Sequence, residues 1–223
     1  MGWNRILTAG AMAIGLAVGA SAAPTCTTTT DFSGGGAILK SMMTAGACYR
    51  VDNVVYGNFA ISSLPAATVL VFNTNTIGGI DHVQLSFGST WHSGTTYNWS
   101  YELAVATGAP KGTVLTALDA DFDQTAGGLS VLDKTTNPTG DAAIHMAKIG
   151  AALQSGAITS TNFGTDVTDL IVTERLQDHG TIANVTNTVS VFTPQPQPPV
   201  PEPATLAILG AGLIGLRFRR RRA

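Results

Sequence analysis

Charge is what this sequence has least of. Lys, Arg, Asp and Glu together make up 12% of its 223 residues, about half the usual share. Of the twelve basic residues, five (Arg217, Arg219, Arg220, Arg221 and Arg222) crowd into the extreme C-terminus. The rest of the chain therefore has no basic surface for nucleic acid, which is excluded as a partner. No uninterrupted apolar run reaches the roughly 20 residues of a comfortable membrane span. There is no G-x-S-x-G elbow, no phosphate loop, no dinucleotide-binding glycine pattern and no H-E-x-x-H. Disorder is excluded too, because apolar residues reach 44% and the formal net charge is only −2. What remains is a weakly charged chain rich in Gly, Pro, Thr, Ser, Asn and Val.

Both ends have the composition of addresses. In residues 1–22, Arg5 and the α-amino group precede an apolar stretch from Ile6 to Val18, and Ala20-Ser21-Ala22 offers a small-residue cleavage site. This is the pattern of a cleavable signal peptide read by the Sec translocon and signal peptidase. At the other end, Pro201-Glu202-Pro203 is followed by an apolar stretch from Ala204 to Leu216 and then by the five arginines. As a helix, thirteen apolar residues would rise about 20 Å, short of the hydrocarbon core of a bilayer. With the arginines held on the cytoplasmic side, such a helix stops in the membrane transiently.

Those three parts, in that order, resemble the PEP-CTERM sorting signal of exported proteins of Gram-negative bacteria. The resemblance implies that an exosortase-type processing enzyme cuts near Pro201-Glu202-Pro203 and passes the body to the cell surface or the medium. The body is similar to such proteins as well. It has the segment from Asp52 to Asn58-Phe59, then the turn Gly78-Gly79 leading into Ile80-Asp81-His82-Val83 and an alternating aromatic strand. This implies a shared sandwich scaffold and carries no catalytic residue.

Between the addresses the chain reads as short strands. Tyr97, Trp99, Tyr101, Leu103 and Val105 alternate with smaller or polar residues, and Val83, Leu85 and Phe87 alternate with His82, Gln84 and Ser86. Period-2 alternation marks half-buried strands. Further strands are expected at 67–72, 113–118, 167–173 and 182–192, with turns at Gly78-Gly79, Gly108-Ala109-Pro110, Gly127-Gly128 and Asn137-Pro138. One stretch has helical spacing: Met146, Ile149, Gly150 and Leu153, with Asp141 as N-cap, predict a short helix over 141–154. The expected architecture is mainly β, an antiparallel sandwich with one short helix. Its boundaries are a signal peptide at 1–22, the β-sandwich domain at 23–193, a Pro-rich spacer at 194–199 and the sorting signal at 200–223. Without the two ends, six basic and thirteen acidic side chains leave a formal charge of −7.

An exported chain with Cys26 and Cys48 favours a disulfide between them. A lipidated Cys26 is the rival, disfavoured by the preceding Pro24-Thr25. Candidate chemistry is otherwise sparse. Asp119, Asp121 and Asp123 place carboxylates at i, i+2 and i+4, as at the start of a calcium loop, but Gln124 and Ser130 stand where a turn glycine and a closing Glu belong. Calcium is the one cofactor considered. His82, His92, His145 and His179 lie apart and form no metal pair. Tyr97, Trp99 and Tyr101 suit a sandwich core, which leaves Trp91 as the aromatic expected to contact a ligand such as extracellular polysaccharide. No enzyme is expected. The sequence reads as a surface-sorted structural or adhesive matrix component, with a carbohydrate- or calcium-binding module and a secreted hydrolase as alternatives.

Overall fold

Low charge and period-2 alternation leave this chain one way to bury its apolar side chains, which is to stack sheets. The computed structural model describes residues 23–137, 143–164 and 166–195. The first strands are β1 (Thr28–Asp31), β2 (Gly36–Leu39), β3 (Ala47–Val51), β4 (Val54–Ala60), β5 (Val69–Ile77), β6 (Ile80–Gly88) and β7 (Thr95–Val105). They are followed by β8 (Val114–Gly127), β9 (Leu129–Asn137), β10 (Ala143–Ile149), β11 (Ala152–Leu153), β12 (Ser160–Asn162), β13 (Asp169–Asp178) and β14 (Gly180–Phe192). An eight-stranded sheet runs β1-β3-β4-β7-β13-β9-β10-β11, and a six-stranded sheet runs β12-β8-β14-β6-β5-β2. All pairings are antiparallel except β1 with β3.

The core lies between the sheets and is built from the alternating positions. Tyr97, Trp99, Tyr101 and Leu103 of β7 face Val83, Leu85 and Phe87 of β6, all buried. Phe87 packs against Trp99 at 5.6 Å and Tyr101 at 6.1 Å between ring centroids, in the offset range that aromatic pairs prefer. The β5–β6 hairpin closes with Ile77 opposite Ile80, and Gly78 and Gly79 take φ of +62° and +82°. Two consecutive positive φ values are what a two-residue hairpin of this twist requires.

Cys26 and Cys48 are joined, closing a loop across a separation of 22 residues. Gly57 makes room for this staple, because a Cβ there would lie 2.6 Å from Cys48 Sγ.

The helix expected over 141–154 does not form. Its first two residues lie outside the described ones, and the rest is the hairpin β10–β11. Ile144 and Met146 are buried at a period of two, while Ile149 and Leu153 of the supposed helical stripe are about half exposed. The same residues satisfy both periods, and pairing of β10 along its whole length with β9 decides for the strand. The signal peptide at 1–22 and the sorting helix after Ala204 lie outside the described residues. No helix among the described residues is long and apolar enough to cross a membrane.

The interior also holds charge. Lys134 of β9, Glu174 of β13 and Asn187 of β14 point inward and are buried.

Candidate functional site

The outer face of the six-stranded sheet follows from the same alternation. Where Val83, Leu85 and Phe87 point inward, Ile80, His82, Gln84 and Ser86 must point outward. Register then aligns these with outward residues on β8, β14 and β5. One row across the sheet reads Ala117, Ser190, His82, Asn75; the next reads Asp119, Thr188, Gln84, Asn73; a third reads Asp121, Thr186, Ser86, Val71. With strands about 4.8 Å apart and successive rows about 7 Å apart, this is a flat grid of hydroxyl, amide, imidazole and carboxylate groups.

Its members are tied together. Ser190 Oγ and His82 Nδ1 are 3.1 Å apart, Ser86 Oγ and Thr186 Oγ1 are 3.1 Å apart, and Asn73 Nδ2 donates to Gln84 Oε1 at 3.4 Å. Partial burial raises the Asp119 pKa, and the nearby His82 and Lys134 oppose that rise. At the end of the grid an apolar row crosses the same four strands: Val114, Phe192, Ile80 and Ile77. Phe192 is 45% exposed and Ile77 61%. Beside this row a depression of about 360 Å³ is lined by Asn73, Asn75, Ile77, His82, Gln84 and Thr188. Polar groups that fix orientation, set beside an exposed ring and aliphatic surface, form a surface suited to a polyhydroxylated ligand.

The residues singled out from sequence are placed differently. Trp91, expected at the surface, is 8% exposed and packs edge-on against Tyr97 at 5.1 Å and near Trp99 at 6.0 Å. It closes the core instead of offering a contact. Asp119, Asp121 and Asp123 lie along one face of β8. A strand spreads i and i+4 over about 13 Å, so the three carboxylates cannot enclose one calcium ion. Asp121 instead pairs with Lys148 of β10 at 2.5 Å. Among the described residues no group of three or more His, Cys, Asp or Glu is placed to hold a metal. The histidines stay apart; His145 Nδ1 lies 2.6 Å from Asp133 Oδ1, while His82 bonds Ser190. The sorting residues Pro201, Glu202, Pro203, Arg217, Arg219, Arg220, Arg221 and Arg222 lie outside the described residues.

The grid itself went unread as a site. His82, Gln84 and Ser86 are visible in the sequence as the polar half of an alternating strand. Nothing local reveals that Asn73, Thr188 and Phe192 join them.

Comparison with curated proteins gives no match. Among solved structures, TmCBM61 in complex with beta-1,4-galactotriose is similar at 9% identity, with 55% of this chain and 87% of that chain covered and a TM-score of 0.25. A Bacteroides thetaiotaomicron VPI-5482 protein described as sugar binding is similar at 9% identity, over 76% of this chain and 95% of that chain, with a TM-score of 0.21. At these scores the likeness carries no inference about a ligand. The C-terminus is more specific: residues 199–222 match the family model of the PEP-CTERM protein-sorting motif. That motif implies export, a membrane-anchored sorting signal before processing, and an exosortase-type processing partner; the chain carries a PEP-CTERM sorting motif at residues 199–222.

Proposed function

We propose that the mature chain is an adhesive component of the extracellular matrix that grips polysaccharide through the outer face of its six-stranded sheet. The observation that carries this reading is the juxtaposition on one flat face of the hydrogen-bonding rows around His82 and Gln84 with the apolar row of Phe192, Ile80 and Ile77. Sugars present hydroxyl edges and apolar ring faces together, and this surface complements both. The Sec translocon exports the precursor and signal peptidase removes residues 1–22. Exosortase processing near Pro201 then releases the domain to the cell surface. The domain acts on no external substrate.

Retention on immobilised polysaccharide from the producing cells tests the reading. The wild-type protein is expected to be retained and the Gln84→Ala/Phe192→Ala double variant to pass through. Equal retention of both would remove the outer face as the binding surface, and no retention of either would remove the polysaccharide reading.

A further inference from the structure

Three polar side chains meet in the middle of the sandwich, where an apolar core would serve stability better. Lys134 of β9 and Glu174 of β13 are register partners, and neither side chain has any exposed surface. Lys134 Nζ lies 3.5 Å from Glu174 Oε2 and donates to Asn187 Oδ1, from the facing sheet. Asn187 Nδ2 in turn donates to Glu174 Oε1 at 2.9 Å. An amine, a carboxamide and a carboxyl group thus form a closed triangle. Trp99 is the register partner of Glu174 on its other side, and Ile144 is that of Lys134.

We propose that Lys134 and Asn187 become joined by an amide bond within the folded chain, with Glu174 carrying the protons. The neutral Lys134 amine adds to Asn187 Cγ, on the carbonyl whose oxygen it already contacts. Glu174, protonated at the outset, delivers its proton to Nδ2 and takes one back from Nζ. The Cγ–Nδ2 bond breaks and ammonia leaves. One C–N bond forms and one breaks, Glu174 is regenerated, and no oxidant, metal or energy donor takes part. Burial supports the required protonation: it lowers the Lys134 pKa and raises that of Glu174, each effect partly offset by the partner's charge. The second carboxylate acting on Lys134 is Asp119, and the Tyr101 hydroxyl and Trp99 indole act on Glu174. Two fixed groups in a buried core react as though highly concentrated, and excluded water cannot compete. The product links the eight-stranded sheet to the six-stranded sheet covalently.

The test is a tryptic map of the purified full chain after reduction and alkylation. Trypsin cannot cleave after an acylated Lys134. The expected product is residues 112–148 linked to the peptide that begins at Leu176. It should be lighter than the two together by about 17 Da, one ammonia. Free peptides 112–134 and 135–148, with no linked species, would overturn the proposal. In the Glu174→Gln variant the linked species is expected to disappear; persistence at the wild-type level would overturn the part assigned to Glu174. The wild-type map decides the bond itself, whether or not the variant folds.

Discussion

Glu174 stands directly opposite Lys134 across neighbouring strands, 3.5 Å away, with neither side chain reaching solvent. Removing one partner strands the other without compensation. Lys134→Met should therefore cost about 3–5 kcal/mol, and the Lys134→Met/Glu174→Leu double variant should be more stable than the single one. Urea unfolding of the two variants checks this. A double variant no more stable than the single would show that the two side chains are not coupled.

Cys26 and Cys48 close a loop across 22 residues and tie the segment before β1 to β3. Chain entropy assigns such a loop about 3 kcal/mol. Thermal melts of the Cys26→Ser/Cys48→Ser variant should fall below the wild type by several degrees. Adding reductant to the variant should then change nothing more.

On the outer face, stability and binding should separate. Gln84 and Phe192 sit at the surface, so alanine at either should move stability by no more than about 0.5 kcal/mol while retention on polysaccharide is lost. A large fall in melting temperature instead would assign these residues to packing.

Asp121 is engaged by Lys148, whose ammonium also lies 5.1 Å from the centroid of the Phe122 ring. Because Asp121 is itself well exposed, Asp121→Asn should cost less than about 1 kcal/mol. Millimolar calcium should leave the melting temperature unchanged. A rise with calcium that Asp121→Asn abolishes would restore the acidic row as a metal site.

Burial raises the pKa of Tyr49, Tyr56 and Tyr101 above the ordinary tyrosine value. In the unfolded chain these phenols lose their protons near pH 10, whereas the folded state holds them. Their contribution to stability is thus fully present below about pH 10 and is lost as pH rises through the folded-state values. Melts between pH 8 and 12 should be level at first and then drop, with phenolate absorbance appearing on unfolding. A melting temperature that holds steady to pH 12 would contradict this.

The sandwich is legible wherever apolar and polar residues alternate without exception. Tyr97 to Val105 and Val83 to Phe87 appear as strands from sequence, and β7 and β6 contain them. Legibility fails where the binary pattern is broken for a physical reason. Strand β9 escapes notice because Lys134 occupies an inward position, which an amphipathic reading treats as solvent-facing. Strand β10 is misread because Met146, Ile149 and Leu153 fit a helical stripe, and only pairing with β9 resolves the ambiguity. The outer face is assembled by register between strands more than one hundred residues apart, such as His82 with Ser190. Sequence fixes which residues lie outward on each strand but not which outward residues become neighbours. Non-local pairing likewise brings Lys134 to Glu174, and the stacking of the two sheets brings both to Asn187.

Strand β14 is the last strand of the sandwich, runs between β8 and β6, and leads through Thr193 into the spacer that precedes the sorting motif. It also carries Thr188 and Phe192 of the outer face. If a ligand is held on that face as proposed, tension between it and the C-terminal end of the domain would enter and leave through nearly the same strand. The hydrogen bonds to both neighbours are loaded together along the strand axis, in shear, and do not peel one at a time. Asn187 lies on this same strand, so its proposed bond to Lys134 would pass part of such a load to β9 of the eight-stranded sheet.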